Sequence, residues 1–134
     1  LEESLAAYYA AFTSRGIAPT VSLPSTPVQT LGDPKWLARI FNNILSNILK
    51  YTDGNFQVAL TSAGTITFSN PASRLSAVEV QRLFDRFFTV ETGRTSTGLG
   101  LSIAKVLTQR MGGNISADYR EGWLSNQLQI PPAP

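Results

Sequence analysis

Between Leu37 and Leu49 the apolar residues Leu37, Ile40, Phe41, Ile44, Leu45, Ile48 and Leu49 recur at spacings of three and four, which is one broad stripe along a helix. Asp33-Pro34 stands just before it. An Asp N-cap accepts an orphan backbone N–H, and proline at the first helical position sacrifices no bond. The pattern therefore predicts a helix from Pro34 to about Tyr51. An earlier helix is predicted by Leu5, Tyr8, Tyr9 and Phe12, with Gly16 as its stop.

Period-two runs supply the strands. Thr20 to Leu23 and Val28 to Leu31 read as short strands in a proline-rich connection, with Pro19, Pro24 and Pro27 around them. After a turn at Asp53-Gly54, Phe56 to Leu60 and Thr65 to Ser69 form a pair joined at Gly64, the second stopping at Asn70-Pro71. Ser76 and Glu79 make a capping box, with Leu75 and Val80 as its staple, so a helix is expected from Ala77 that carries Val80, Leu83, Phe84, Phe87 and Phe88 on one face. A Gly- and Thr-rich loop separates it from a last helix, Leu101 to Arg110. That helix should turn Ile103, Val106, Leu107 and Met111 inward and close at Gly112-Gly113. Asn114 to Asp118 and Leu124 to Ile130 read as closing strands.

Composition narrows the possibilities. The 134 residues are 43% hydrophobic and 15% charged, which fits one compact domain and not a disordered chain. The net charge is +2 and the basic residues are scattered, so no nucleic-acid stripe or membrane-binding patch is expected. No apolar run approaches the roughly 20 residues that span a bilayer. Cysteine and histidine are both absent. That excludes disulfides, thiolate metal sites, a histidine general base and a phosphohistidine on this chain.

Three stretches could carry chemistry. In NNILSNILKYT, residues 42–52, the side chains of Asn43, Asn47 and Lys50 fall within roughly 60° of one another, away from the apolar stripe. Three polar residues alone suit a solvated face, but repeated Asn, a poor helix former, is unusual there. In STGLGLSIAK, residues 96–105, Gly98 and Gly100 precede a helix, where unpaired N–H groups attract phosphate. Alone, this Gly-x-Gly is no more than a helix-entry turn; it is neither a Walker loop nor a dinucleotide fingerprint. LFDRFF, residues 83–88, is followed by about ten residues rich in Gly, Thr and Ser with Arg94, the composition of a mobile cover.

Together these segments resemble the ATP-binding, catalytic domain of sensor histidine kinases, in the GHKL superfamily. GDPKWLARIFNNILSNILKYT looks like that family's N box, LFDRFF like its F box and TGLGLSIAK like its second glycine box, in the family's order. The resemblance implies a Bergerat-type α/β (α+β) two-layer sandwich, with a mixed, mostly antiparallel sheet of about five strands on about three helices. It implies Mg²⁺ and ATP as ligands. Asn47 would ligate Mg²⁺, with Asn43 one turn earlier contacting phosphate or metal-bound water. Lys50 would neutralise phosphate charge and Tyr51 would pack near the adenine or ribose. Backbone groups at Gly98, Leu99, Gly100 and Leu101 would cradle the phosphates. Arg94 and Thr97 would belong to an ATP lid anchored by Phe87 and Phe88.

The resemblance also separates this chain from others in the superfamily. The heat-shock chaperone, gyrase and mismatch-repair branches carry a glutamate where Asn43 stands, and Asn cannot activate water as that base does. A domain built to bind and orient ATP, without hydrolysing it efficiently, is what that substitution implies. The acceptor histidine would lie on a separate dimerisation domain of the same full-length kinase, with a response regulator downstream. The chain would be a monomeric, cytoplasmic C-terminal piece of a longer sensor, an expectation that fits a start at Leu1 without methionine. The departure is at the strand end. Where the family has an Asp-x-Gly-x-Gly box whose carboxylate meets the adenine amino group, this chain has Asn70, Ala72 and Arg74. An Asn carbonyl still accepts a hydrogen bond, but without charge assistance. Two other readings share these residues: a degenerate interaction module that binds no nucleotide, and a serine kinase of the anti-sigma type.

Overall fold

The computed structural model describes residues 1–30, 32–73, 75–85 and 100–131. Helix α1 spans Glu2–Ser14, strand β1 Pro19–Ser22, helix α2 Pro34–Tyr51, strands β2 and β3 Phe56–Leu60 and Thr65–Pro71, helices α3 and α4 Ala77–Gln81 and Gly100–Arg110, and strands β4 and β5 Asn114–Arg120 and Trp123–Gln129. The five strands form one sheet in the order β1-β2-β3-β5-β4. β1 runs parallel to β2, with α2 as the connection between them, and the remaining pairs are antiparallel. This is the mixed, mostly antiparallel α/β sandwich expected from the sequence.

The alternation of β3 and β5 fixes which face is covered. Ile66, Phe68 and Asn70 on β3 and Leu124, Asn126 and Leu128 on β5 are buried, while their odd-numbered neighbours are more accessible. The apolar members of this set, Ile66, Phe68, Leu124 and Leu128, pack with Ile40, Phe41, Ile44, Leu45 and Ile48 of α2 in one core. The rings of Phe12 and Phe56 meet at 4.6 Å between centroids, and those of Phe41 and Phe68 at 6.4 Å. Burying side chains of this size is the main source of stability in a domain of this length.

The helix stops and starts read from the sequence are realised in detail. Asp33 caps α2 by accepting from the Lys35 N–H at 2.8 Å. Gly16 and Gly112 take positive φ, of 70° and 84°. Each closes its helix with a pair of backbone bonds: Gly16 to Thr13 and Ile17 to Phe12, then Gly112 to Gln109 and Gly113 to Thr108. At Gly113 a side chain would run into the Gln129 carbonyl, so glycine is what lets the end of α4 meet the sheet.

Several expectations fail, each for a local reason. The helix begun at Ser76 has its full capping box but ends at Gln81; Arg82, Leu83 and Asp85 continue in tighter i to i−3 bonds. Val28 to Leu31 is not a strand: Thr30 is a single bridge residue, and Leu31 lies outside the described residues. Val106, expected on the inner face of its helix, is 48% exposed, because Leu101, Ala104 and Thr108 form the buried face of α4. β3 runs two residues further than expected, pairing Asn70 with Leu124 and Pro71 with Trp123. β2 stops at a partner two residues before Pro71, so proline interrupts no ladder on that side. β4 and β5 are joined by Glu121-Gly122, both at positive φ, a tight hairpin turn whose second residue is the usual glycine.

Candidate functional site

The polar face of α2 emerges where the sequence places it. Asn43, Asn47 and Lys50 are half-buried, beside the fully packed Ile44 and Ile48. Asn43 lies against the first residue of α4: its side-chain N–H donates to the Gly100 carbonyl at 2.9 Å. That bond ties α2 to the N-terminal end of α4, where backbone N–H groups have no partner within the helix. Among the described residues, a side chain at Gly100 would meet nothing within 4 Å. Leu101, one residue on, is buried in the core, so its backbone is the part that can face a ligand. Tyr51 is buried in the last turn of α2. Trp36 is half-buried on the same helix. Phe87, Phe88, Arg94, Thr97, Gly98 and Leu99, the expected lid and most of the glycine box, lie outside the described residues, as does Arg74.

The other wall is the end of β3. Asn70 is 1% exposed, on the inner face of the sheet. Its amide N–H donates to the Pro71 carbonyl across a long 3.4 Å, and its buried side-chain oxygen has no hydrogen-bond partner among the described residues. An unpaired buried acceptor of this kind costs of the order of 1–3 kcal/mol. Among the described residues no cluster of Asp, Glu, His or Cys could hold a metal ion on its own.

Sequence reasoning missed how this strand end is held. The segment after Asn70 has Ala72 where the family has glycine, and it is pinned from two sides. The Asp53 carboxylate accepts from the Ser73 N–H at 2.6 Å, and the Asp53 N–H donates to the Pro71 carbonyl at 2.8 Å. From the opposite side the Ala72 N–H donates to Gly122 at 2.7 Å, and the Tyr119 hydroxyl donates to the Ala72 carbonyl at 2.9 Å. Thr52 completes the join by donating to the Gly54 carbonyl at 2.8 Å. Asp53-Gly54 has the composition of an ordinary turn, and nothing local says that its carboxylate reaches twenty residues ahead. Asn126 was also missed, although its signal was present: it is a polar residue at an inward position of Leu124-x-Asn126-x-Leu128.

Comparison with known proteins shows the family of the chain. Residues 32–131 match the family described as histidine kinase-, DNA gyrase B-, and HSP90-like ATPase. The chain belongs to that family. It is 34% identical over 122 residues to the sensor histidine kinase YcbM of Bacillus subtilis, a match covering 84% of this chain and 39% of that protein. It is also 34% identical over 144 residues to the signal transduction histidine-protein kinase BaeS of Escherichia coli, covering 98% of this chain and 30% of that one. The chain thus spans between 30% and 39% of the length of these relatives. Among solved structures, the mycobacterial sensor histidine kinase MprB is similar with a TM-score of 0.79 at 26% identity, over 99% of this chain and 92% of that one. The catalytic domain of histidine kinase ThkA shares the fold with a TM-score of 0.85 at 19% identity, over the same fractions. Membership of this family supports ATP binding. No described helix is long and apolar enough to cross a membrane.

Proposed function

We propose that the chain is the catalytic half of a two-component autokinase, which binds Mg-ATP between α2, α4 and the end of β3 and presents the γ-phosphate to a histidine on a separate dimerisation domain. The observation that carries this reading is the buried, unpartnered side-chain oxygen of Asn70 facing into the layer beneath α2. It is a donor-seeking group at the position where the family meets the adenine amino group.

The donor set fits both ligands. A carboxamide oxygen is a hard donor suited to Mg²⁺, which takes few protein ligands and completes its shell with water and phosphate oxygens. Asn47 supplies that oxygen, and no preformed carboxylate cage is needed. Lys50, on the same face, places positive charge beside it. Gly100, beside which no described residue would meet a side chain, offers close approach to backbone groups at the start of α4. Bound Mg-ATP supplies the phosphoryl group and screens its charge. The chain's own residues bind, orient and exclude water; phosphoryl transfer rests mostly on such positioning. Asn43 holds α4 and, being an amide, takes no proton from water, so hydrolysis is slow. Arg94, Thr97, Phe87, Gly98 and Leu99 are assigned to the cover and glycine box by position in the sequence.

In this reading the partners are the histidine-bearing domain of the same full-length kinase and a downstream response regulator, in the cytoplasm, and the chain by itself is a monomer. The test is titration with a fluorescent ATP analogue with and without Mg²⁺, followed by phosphotransfer to the histidine-bearing segment of the full-length kinase. Saturable, Mg²⁺-dependent binding and a labelled histidine are expected. Absence of saturable binding at millimolar nucleotide would leave the chain as an interaction module, and label on serine would make it a serine kinase.

A further inference from the structure

Two consecutive peptide units follow Asn70 at the end of β3, and each is held at both ends. In the first, the Pro71 carbonyl accepts from the Asp53 N–H at 2.8 Å and the Ala72 N–H donates to the Gly122 carbonyl at 2.7 Å. In the second, the Ser73 N–H donates to the Asp53 carboxylate at 2.6 Å and the Ala72 carbonyl accepts from the Tyr119 hydroxyl at 2.9 Å. Asp53 thus holds these units from the end of α2, and the β4–β5 hairpin holds them from the sheet. The Asn70 side chain donates to the same Pro71 carbonyl, at 3.4 Å.

The ladder register explains why Tyr119 is the residue that reaches this segment. Tyr119 on β4 stands opposite Leu124 on β5, and Leu124 stands opposite Asn70 on β3. The three form one row on the inner face, where Leu124 and Asn70 are both 1% exposed. β4 and β3 are two strand spacings apart, roughly 10 Å, so only a long side chain can cross from one to the other. Tyr119 packs against the core, and its hydroxyl arrives two residues past Asn70.

Packing does not call for that hydroxyl, because Phe would fill the same space. The carbonyl does not call for it either. Ala72 also accepts from the Leu75 N–H at 3.1 Å, so its carbonyl has a partner without Tyr119. A bond that neither fills the core nor rescues an orphaned acceptor has one effect left: it fixes the direction in which the peptide units beside Asn70 lie.

Resting on the nucleotide reading above, we propose that Tyr119 is a positioning residue for the base end of the site. Acting through the Ala72 carbonyl, its hydroxyl holds residues 71–73 in the arrangement that sets Asn70 against the base. Tyr119 lies outside the three segments that carry the family resemblance. Ordering the segment beforehand raises affinity by removing that cost from binding. The effect falls on the base and not on the metal end, because Asn47 and Lys50 stand on the other wall, on α2.

NMR titration of the chain and of Tyr119→Phe with ATP, each with and without Mg²⁺, tests this. The substitution should weaken ATP at least threefold in both conditions. The gain in affinity that Mg²⁺ brings should agree between the two proteins within twofold, and their melting temperatures within about 2 °C. A merely structural role would lower the melting temperature and erode the Mg²⁺ gain together. ATP binding within threefold of the unsubstituted chain overturns the proposal and leaves the nucleotide site standing. So does a larger loss that comes with a lower melting temperature or a smaller Mg²⁺ gain. If the unsubstituted chain binds no ATP saturably, the nucleotide reading falls and this proposal falls with it.

Discussion

The two ends of the candidate site are built from the same residue type on opposite principles. At the α2–α4 end, Asn43 is half-buried and spends its amide on a 2.9 Å bond to Gly100, so the site's geometry is fixed from within the protein. At the β3–β5 end, Asn70 and Asn126 are almost fully buried and leave three polar atoms unsatisfied. The first end is tied by a hydrogen bond within the protein; among the described residues, the second keeps buried polar atoms without a partner. Rigid walls with a few convergent polar groups are the usual form of a small-molecule site. The difference shows that one residue type can position an element in one place and stand unpaired in the core in another; under the proposed function, the unpaired one meets the ligand.

The sharpest way to break this comparison is at Asn47. If the α2 face holds the metal end, Asn47→Ala should weaken Mg²⁺-dependent nucleotide binding by about 10- to 100-fold, the range lost with one hydrogen bond or ligand to a charged group. Binding without Mg²⁺ should change little, and titration in the two conditions measures the contrast. The next effect concerns the pinning of the strand end. Asp53→Ala removes the carboxylate from Ser73 and should lower stability by about 1–2 kcal/mol in urea unfolding, while also loosening nucleotide binding because Asn70 loses its fixed backbone. Smallest is Asn43→Ala. Losing its bond to Gly100 should cost about 1 kcal/mol and raise amide hydrogen exchange in the first turn of α4, with the sheet unaffected.

How much of this was legible in the chain depends on whether the signal is local. The α2 stripe, its Asp-Pro start and the Gly16 and Gly112 stops are decided by side chains within a few residues of one another, and each appears in the structure as the pattern implies. α3 was overextended because Leu83 and Phe84 keep helical spacing although the chain turns more tightly after Gln81. Val28 to Leu31 has strand composition, but among its described residues only Thr30 makes a bridge. The α2 face of the site was readable because Asn43, Asn47 and Lys50 share one helix. The pinning by Asp53, Tyr119 and Gly122 joins residues 20 to 50 positions apart, and only the sheet register brings them together. Asn126 occupied a position that alternation marks as inward, and its polarity there was the cue.

The central claim is that this family member retains a nucleotide site whose base end is uncharged. Titration of MgATP into the unsubstituted chain and into Asn70→Asp addresses it directly. Saturable binding in both is predicted, with the aspartate variant tighter by roughly fivefold, corresponding to about 1 kcal/mol of charge assistance to one hydrogen bond. No saturable binding in the unsubstituted chain, or an aspartate variant of equal or lower affinity, would contradict it.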